Sequence, residues 1–243
     1  MKIGIIYAME EEINETLKYA EIINEYEIFG IKFYETLINN KNCILGLCGI
    51  GKVNASRCTQ IMIDNINVDF IINVGVAGGL SDKLNVLDIV VGEKLVQHDF
   101  DITAFNHEKG YIPNCGIYLN SDDYLLNIAK NILIKDINIR CGVIASGDIF
   151  CTDKNMSDKI HNKFNALCVD MEGASIAQTS FLAGIPFIVI RSISDIPNNK
   201  NVLTYDTFLE KSSNIVSLFL IEMINKIDIE KIKWYFDILD IIN

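Results

Sequence analysis

The alternation of apolar runs with amphipathic segments constrains the fold of this 243-residue chain more than any other feature. Apolar runs of strand length are found at 2–7, 43–48, 69–74, 88–96, 139–146, 166–169 and 186–193. Segments with helical periodicity lie between many of them, at 10–20, 53–65, 121–134, 171–183 and 205–227. Strands that alternate with helices in this way predict an α/β domain with a largely parallel sheet.

One segment, 28–48, breaks this alternation, because it contains two successive strand patterns around Asn39-Asn40-Lys41. Asn tolerates the backbone conformations of tight turns, so we predict a hairpin there and a mixed central sheet flanked by helices. No Pro/Ser-rich linker and no repeat divides the chain, and we therefore predict one domain over 1–227. The connection 97–116 has few periodic cues and is a candidate functional loop.

The C-terminal extension, residues 228–243, is unusually apolar. Its apolar side chains are Ile229, Ile232, Trp234, Tyr235, Phe236, Ile238, Leu239, Ile241 and Ile242. We predict that the extension forms an additional helix packed on the domain. The alternative is a contact surface for an oligomer or another partner, and the sequence alone does not decide between the two.

The charge of the chain bears on its partners. The formal net charge is -11, from 21 Lys and Arg against 32 Asp and Glu, and no basic block occurs. Nucleic-acid binding is therefore not expected, since the neutralisation of phosphates requires clustered cations. A neutral or cationic small ligand suits this charge better.

Motifs for targeting, disulfides and metals are missing. The short apolar N-terminal stretch runs directly into Glu10 and does not resemble a signal peptide, and no apolar run reaches transmembrane length. The 7 cysteines form no C-x-x-C pair, which indicates neither a disulfide framework nor a zinc ribbon and fits a cytoplasmic location. The histidines, His98, His107 and His161, lack the spacing of metal ligands, so no metal site is expected.

Three acidic clusters follow or end predicted strands, at residues 9–12, 169–173 and 191–195. Acids at the ends of strands in an α/β chain tend to meet in one crevice, where they suit proton transfer and the stabilisation of positive charge. A purely structural interpretation also exists for each cluster. The first two could offset the positive end of a helix dipole, and Arg191 could form a structural ion pair with Asp195.

The glycine-rich segment Gly75-Val76-Ala77-Gly78-Gly79 follows the apolar strand 70–74. Glycines at this place allow the backbone to approach a ligand closely, although a tight turn without a ligand has the same composition. The G-x-G-x-x-G spacing of a dinucleotide site is absent, and Gly51-Lys52-Val53 is not a P-loop. Ser146-Gly147-Asp148 is not a nucleophile elbow.

Several of these segments together resemble one known family, the 5′-methylthioadenosine/S-adenosylhomocysteine nucleosidases. The motifs that resemble it, in order, are Gly4-Ile5-Ile6, Ala8-Met9-Glu10-Glu11-Glu12, Gly49-Ile50-Gly51-Lys52-Val53, Ala77-Gly78-Gly79-Leu80, Asp88-Ile89-Val90-Val91, Thr103-Ala104-Phe105, Ser146-Gly147-Asp148, Met171-Glu172 and Ile193-Ser194-Asp195. The resemblance extends from residue 1 to about 227, and the C-terminal extension has no counterpart in the family.

The resemblance implies a purine nucleoside phosphorylase-like fold and a cytoplasmic homodimer. It also implies hydrolysis of the adenine–ribose bond in 5′-thio-substituted adenosines, with water as co-substrate, no cofactor or metal, and a place in methionine salvage. By the same resemblance Glu12 activates the attacking water and Asp195 protonates adenine N7. Glu172 binds the ribose hydroxyls, Met171 lies beside the sugar, and Arg191 helps to place the water.

The remaining residues implied by the resemblance surround the substrate. Phe150 stacks on the purine, the backbone of Cys151 reads its edge, and Ser194, next to the general acid, also binds the substrate. The 5′-alkylthio pocket is lined by Met9, Ile50 and Tyr205, with Ile102, Phe105 and Pro113 supplied by the other subunit. An apolar pocket suits the thioether end of such a substrate.

The chemistry of the reaction agrees with these residue types. Adenine is a poor leaving group until a ring nitrogen is protonated, so a general acid is needed and the pKa of Asp195 is expected to be raised. The ribose then gains oxocarbenium character, which nearby carboxylates stabilise, and a base on the opposite face must deprotonate water.

Three positions depart from the family pattern. Val76 stands where Ser or Thr is usual, Asp170 where Glu is common, and Tyr205 where Phe is common. Val76 cannot offer the hydroxyl that contacts the water or the ribose. The water network and the substrate preference are therefore open, whereas the reaction class is not.

Two other functions compete with hydrolysis. A purine nucleoside phosphorylase of the same fold needs cations for phosphate, but Asn73 stands where such enzymes have Arg. A non-catalytic nucleoside-binding protein has no need of a paired acid and base such as Asp195 and Glu12. The sequence does not rank methylthioadenosine, S-adenosylhomocysteine, 5′-deoxyadenosine and aminofutalosine as substrates.

Overall fold

The computed structural model describes residues 1–197, 201–228 and 230–232, with the backbone alone at 201–204. The strands are β1 (Ile3–Tyr7), β2 (Glu21–Ile28), β3 (Ile31–Ile38), β4 (Lys41–Leu47), β5 (Phe70–Gly79), β6 (Ile89–Gln97), β7 (Leu119–Asn120), β8 (Ile139–Ser146), β9 (Ala166–Asp170) and β10 (Phe187–Asp195). The helices are α1 (Glu10–Leu17), α2 (Lys52–Ile61), α3 (Asp123–Lys130), α4 (Lys154–Phe164), α5 (Gly173–Leu182) and α6 (Asn201–Lys226).

One mixed sheet contains all of these strands. β5 lies between β1 and β10 and pairs with both in parallel, and β4 pairs in parallel with the other side of β1. β2, β3 and β4 form an antiparallel meander at one edge. On the other side, the pairings β10–β6, β6–β8, β8–β9 and β9–β5 return to β5, so five strands close into a ring. The predicted mixed sheet is therefore confirmed.

Helices cover both faces of the sheet, which explains why the central strands are apolar on both sides. Every residue of β1 and β10 is buried, as is typical of parallel strands with two covered faces. One core cluster packs under α1, α3 and α6, and contains Ile13, Leu125 and Phe219. A second packs under α2 and α5 and contains Ala55 and Ile176, and a third, smaller one contains Phe164.

Most predicted elements are present, and the differences have local causes. The 28–48 hairpin is β3 and β4, joined by Asn39 and Asn40, both with positive φ. The predicted helix 53–65 is α2 followed by a π-helical turn at Met62–Ile66. We did not predict β2, whose residues are mostly exposed at the sheet edge, nor the largely polar α4, nor the two-residue β7.

Two other predicted segments have different outcomes. The connection 97–116 is irregular apart from a 3₁₀ turn at Thr103–Phe105 and a bridge between Ile112 and Gly116. Most of the 228–243 extension, namely 229 and 233–243, lies outside the described residues, but Ile232 is fully buried in the core. Within the described part of the chain, no helix has both the length and the apolar character that a membrane crossing requires.

Candidate active site

A cavity of about 370 Å³ opens where β1, β5, β9 and β10 end, and the three acidic clusters meet in its wall. The residues that line it are Ala8, Met9, Glu12, Ile50, Val76, Ala77, Gly78, Ile149, Phe150, Cys151, Val169, Asp170, Met171, Glu172, Ser194, Asp195 and Tyr205. Carboxyl ends of neighbouring strands share one sheet edge, so the chain brings distant acids together there.

The strand order sets the positions of the two acids, because Glu12 follows β1, Asp195 ends β10, and β5 lies between these strands. Adjacent strands are about 4.8 Å apart, so the axes of β1 and β10 are separated by about 10 Å. The glycine-rich end of β5 forms the floor between the acids. A Cβ atom on Gly75 would lie 2.6 Å from Glu12 Oε1, so this close approach requires glycine.

Three backbone amides hold the Glu12 carboxylate, which is only 2% exposed. The amides of Ala8 and Met9 donate to its Oε2 at 3.0 and 3.1 Å, and the Val76 amide donates to its Oε1 at 3.0 Å. Burial raises the pKa of Glu12, although the Arg191 guanidinium and the three amides oppose this effect. The result is an oriented carboxylate suited to accept a proton.

Arg191 is 1% exposed and lies behind the cavity, outside its lining. Its Nη2 and Nε contact Asp170 Oδ2 at 2.6 and 2.8 Å, and Nη2 also donates to Asn73 Oδ1. The structural ion pair considered from the sequence is therefore made with Asp170 and not with Asp195. From this position Arg191 acts on Glu12 and Glu172 through its charge.

Glu172 is a second buried carboxylate in the wall, and the Gly51 amide donates to its Oε1 at 2.8 Å. Burial, together with the negative charge of Asp170, raises the pKa of Glu172 to about 7, against the opposing effects of Arg191 and the Gly51 amide. Glu172 therefore changes charge near neutral pH and remains a strong hydrogen-bond acceptor above it.

Asp195 is 1% exposed and follows an irregularity in β10, between Ile193 and Asp195. The Ser194 hydroxyl donates to Asp195 Oδ1 at 2.9 Å. The register of β10 places Asp195 beside Gly78 of β5. A carboxyl group buried at a cavity wall and held by a neighbouring hydroxyl is suited to act as a general acid.

The other part of the cavity wall is apolar and aromatic. Phe150 and Tyr205 pack edge to face with ring centroids 5.6 Å apart, and the Tyr205 hydroxyl lies 3.1 Å from Met9 Sδ. Ile50 is 53% exposed at the rim. Burial raises the pKa of the Cys151 thiol to about 11, so this thiol is neutral at ordinary pH.

The structure places eleven of the fifteen residues implied by the resemblance in the cavity wall. They are Met9, Glu12, Ile50, Val76, Phe150, Cys151, Met171, Glu172, Ser194, Asp195 and Tyr205. Arg191 lies behind the wall, and the other three, Ile102, Phe105 and Pro113, are in the 97–116 connection, outside the lining. The wall residue Ile149 was missed, although it directly precedes Phe150 in the sequence.

The charges of the wall limit its chemistry. Among the described lining residues there are four carboxylates and no Lys, Arg or His. The guanidinium of Arg191 is already engaged by Asp170 and Asn73. The site is therefore suited to proton transfer and to a developing cation, and poorly suited to a phosphate ion.

Comparisons with known proteins agree with this geometry. Residues 2–225 match the model of the phosphorylase superfamily. The chain is 37% identical over 227 residues to a 5′-methylthioadenosine/S-adenosylhomocysteine nucleosidase of Staphylococcus carnosus, covering 93% of this chain and 100% of that protein.

Two solved structures from Helicobacter pylori are similar to the whole fold. The 5′-methylthioadenosine/S-adenosylhomocysteine nucleosidase superposes with a TM-score of 0.90 at 38% identity, covering 93% of this chain and 99% of that one. A futalosine hydrolase superposes with a TM-score of 0.90 at 37% identity, covering 93% of this chain and 98% of that one.

Proposed function

Because this chain belongs to the phosphorylase superfamily, and within it to the 5′-methylthioadenosine/S-adenosylhomocysteine nucleosidases, we infer that it hydrolyses the N-glycosidic bond of both nucleosides. It is an N-glycosidic hydrolase that releases adenine. The fold is the purine nucleoside phosphorylase-like fold expected from the sequence.

The observation that best supports hydrolysis is the pair of buried carboxylates on the two sides of β5, in a wall without cations among its described residues. A phosphorylase has to attract phosphate, whereas Asn73 here donates to the Ile6 carbonyl at 2.9 Å and accepts from Arg191. Water, in contrast, is uncharged, so a hydrolase needs a base to activate it but no cation to attract it. A non-catalytic binding protein would leave the acid–base arrangement without a purpose.

The reaction divides between the two acids as follows. Asp195 donates a proton to adenine N7, which lets the electron pair of the C1′–N9 bond leave with the base. Glu12 accepts a proton from the water whose oxygen attacks C1′ from the opposite face. The products are adenine and a ribose with a hydroxyl at C1′. The carboxylates stabilise the oxocarbenium-like ribose between these events.

Other wall residues position the substrate. Ionised Glu172 accepts hydrogen bonds from the ribose hydroxyls, with Met171 beside the sugar. The ring of Phe150 stacks on the purine, and the Cys151 backbone reads its edge. The charge of Arg191 lowers the pKa of Glu12, and we propose that Arg191 helps to place the water by keeping this carboxylate ready to accept a proton.

The pocket for the 5′ substituent is formed by Met9, Ile50 and Tyr205, and we propose that a second subunit completes it. Phe105 is 75% exposed, Pro113 is exposed, and Ile102 is partly exposed, on a connection that contributes no residue to the cavity lining of its own chain. A homodimer would cover these side chains. The same proposal includes a cytoplasmic location, which the seven free cysteines support, and a role in methionine salvage.

Adenine release in phosphate-free buffer tests the function. The panel is methylthioadenosine, S-adenosylhomocysteine, 5′-deoxyadenosine and aminofutalosine, the last because a futalosine hydrolase is also similar to this chain. We expect adenine and free methylthioribose from methylthioadenosine, at a rate independent of added phosphate. Formation of a ribose 1-phosphate would show a phosphorylase instead, and no turnover of any nucleoside would support a binding protein.

A further inference from the structure

A compact polar cluster lies beside the cavity and contributes nothing to its lining. Lys52 Nζ contacts Asp99 Oδ1 at 2.7 Å and Gln97 Oε1 at 3.1 Å. The Lys52 amide donates to Asp148 Oδ1 at 2.8 Å, and the Asp148 amide donates to Asp99 Oδ2 at 3.0 Å. The three residues Lys52, Asp99 and Asp148 thus form a closed ring of hydrogen bonds, which we name the Lys52 clamp.

Each member of the clamp belongs to a different segment of the chain. Lys52 begins α2, Asp99 follows β6 at the start of the 97–116 connection, and Asp148 follows β8. The clamp therefore ties together three segments that are far apart in sequence. The ends of β6 and β8 are also joined by their strand pairing and by the His98 amide, which donates to the Ser146 carbonyl at 3.0 Å, so the particular contribution of the clamp is to attach Lys52 to them.

Two of the segments continue directly into the cavity wall. Gly51, next to Lys52, supplies the amide that donates to Glu172 at 2.8 Å. Asp148 is two residues before Phe150, which together with Cys151 forms the purine side of the wall. The clamp thus joins the Gly51 amide, which holds Glu172 on the ribose side, to the segment that carries Phe150 on the purine side.

The clamp is stronger than an ordinary surface ion pair. The side chains of Lys52 and Asp99 are each only 18% exposed, so water screens them weakly. Burial raises the pKa of Asp99, but hydrogen bonds from Lys52 and from the Asp148 amide outweigh it, and the pKa lies below its usual value. Asp99 is therefore ionised at neutral pH. Its two carboxylate oxygens accept hydrogen bonds from two different segments, one from Lys52 and one from the Asp148 amide.

We propose that the Lys52 clamp is a positioning device for the nucleoside, which holds the Gly51 amide on Glu172 and the Phe150 segment at one fixed separation. None of the three residues Lys52, Asp99 and Asp148 lines the cavity. This inference rests on the proposed function, because it assigns the clamp to the ribose and purine sides of that same site.

The principal test is Lys52→Met, with Lys130→Met as the matched control. Lys130 forms a 2.6 Å ion pair with Glu93, so the control also removes one lysine from one ion pair. We expect Lys52→Met to lower kcat/KM for methylthioadenosine about tenfold or more, mainly by raising KM, because a small misplacement of positioning groups has effects of this size. Lys52→Arg should recover most of the loss, and Lys130→Met should stay near the wild type.

The pH profile distinguishes positioning from a general loss of packing. The Gly51 amide favours ionised Glu172, whereas Lys52 is not among the groups that act on the pKa of Glu172 directly. If the clamp holds Gly51 in place, Lys52→Met shifts the acid limb of kcat/KM to higher pH. A fall in activity with an unmoved limb and unchanged KM would overturn the proposal.

A second pair of variants covers the possibility that Lys52→Met does not fold. Asp148→Asn retains an oxygen that can accept from the Lys52 amide, whereas Asp148→Ala does not, so only the alanine variant should raise KM. Equal KM values for the two would contradict the clamp. If the wild type releases no adenine at all, the proposed function fails; if it does and all clamp variants match it, only the clamp is wrong.

Discussion

At the scale of single residues, the site depends on what surrounds each carboxylate. Glu12, Asp170, Glu172 and Asp195 are all buried in one wall, and Asp170 forms a direct ion pair with Arg191. Glu12 is held by backbone amides, and Glu172 by one amide. Different environments for similar side chains are what allow one site to hold both an acid and a base.

The proposed acid and base can be removed separately. Asp195→Asn and Glu12→Gln keep the size of each side chain but cannot transfer the proton. Each should lower kcat by about 10²–10⁴-fold, the usual contribution of general acid–base groups, while circular dichroism and melting temperature show an intact fold. A variant that keeps more than about a third of the wild-type kcat would show that its residue does not have the assigned role.

The titration of Glu172 predicts the pH dependence of the reaction. The carboxylate must be ionised to accept from both ribose hydroxyls, and its pKa is about 7, so kcat/KM should rise as the pH increases through neutrality. Glu172→Gln should lower kcat/KM at pH 8 and remove this step, leaving only the group assigned to Glu12. The measurement is the pH profile of kcat/KM for the variant from pH 5 to 9. If the rise near neutral pH is unchanged in the variant, it belongs to a group other than Glu172.

Val76 tests how much the reaction depends on the hydroxyl that the family usually has at this position. The backbone amide of Val76 already holds Glu12, and Val76→Ser leaves that contact in place. The serine variant should keep or raise kcat/KM, by no more than one hydrogen bond allows, about 1 kcal/mol or a few-fold. It should also be somewhat less stable, because Val buries more apolar surface. A tenfold fall in kcat/KM in a folded variant would show a site built around valine.

At the scale of secondary-structure elements, the end of α6 extends the domain beyond the family motifs. After α6 the chain continues over α3, where the Asp228 amide and carbonyl each lie 3.3 Å from the Tyr124 hydroxyl. Ile232 then enters the core cluster that α1, α3 and α6 share. Ile232 is therefore packed in the core, and the helix predicted for the 228–243 extension stays a prediction.

The packing of the extension can be measured at Ile232. This side chain is fully buried, so Ile232→Ala should lower the free energy of unfolding by about 2–5 kcal/mol. Leu133→Ala is the matched control, because Leu133 is 91% exposed and its truncation should change stability little. Chemical denaturation compares the two variants. Both should retain the wild-type kcat/KM well below their melting temperatures, and a loss of activity in folded Ile232→Ala would connect the extension to the site.

At the scale of the whole molecule, the pocket that we propose for the 5′ substituent is open at Ile50. This side chain is 53% exposed in the single chain. A thioether substituent gains little from a pocket open to water, so an additional apolar surface would strengthen its binding. The exposed apolar side chains of the 97–116 connection of a second subunit would supply such a surface.

The dimer proposal predicts both mass and activity. Light scattering should report about twice the chain mass. Phe105→Ala should raise KM for methylthioadenosine by several-fold with a smaller effect on adenosine, which has no alkylthio group to bury. Thr103→Ala in the same turn is the control. Full activity in a monomer at the assay concentration would contradict the shared site.

Local patterns in the sequence determined the element types, and the resemblance carried by the motifs implied the reaction class. Apolar runs of strand length indicated β1, β5 and β10 because these strands are buried on both faces, and the acids at their ends were visible from spacing alone. The motifs then indicated the family. β2 and α4 escaped notice because their exposed, polar residues carry little periodic signal.

Only the tertiary structure decided which side chains meet. Nothing in the order of residues pairs Arg191 with Asp170 instead of Asp195, or joins Lys52 to Asp99 and Asp148. The closure of β5, β6, β8, β9 and β10 into a ring also came from the structure alone. The physical reason is that periodicity reports the local environment of a residue, whereas strand order and side-chain contacts depend on segments that are distant along the chain.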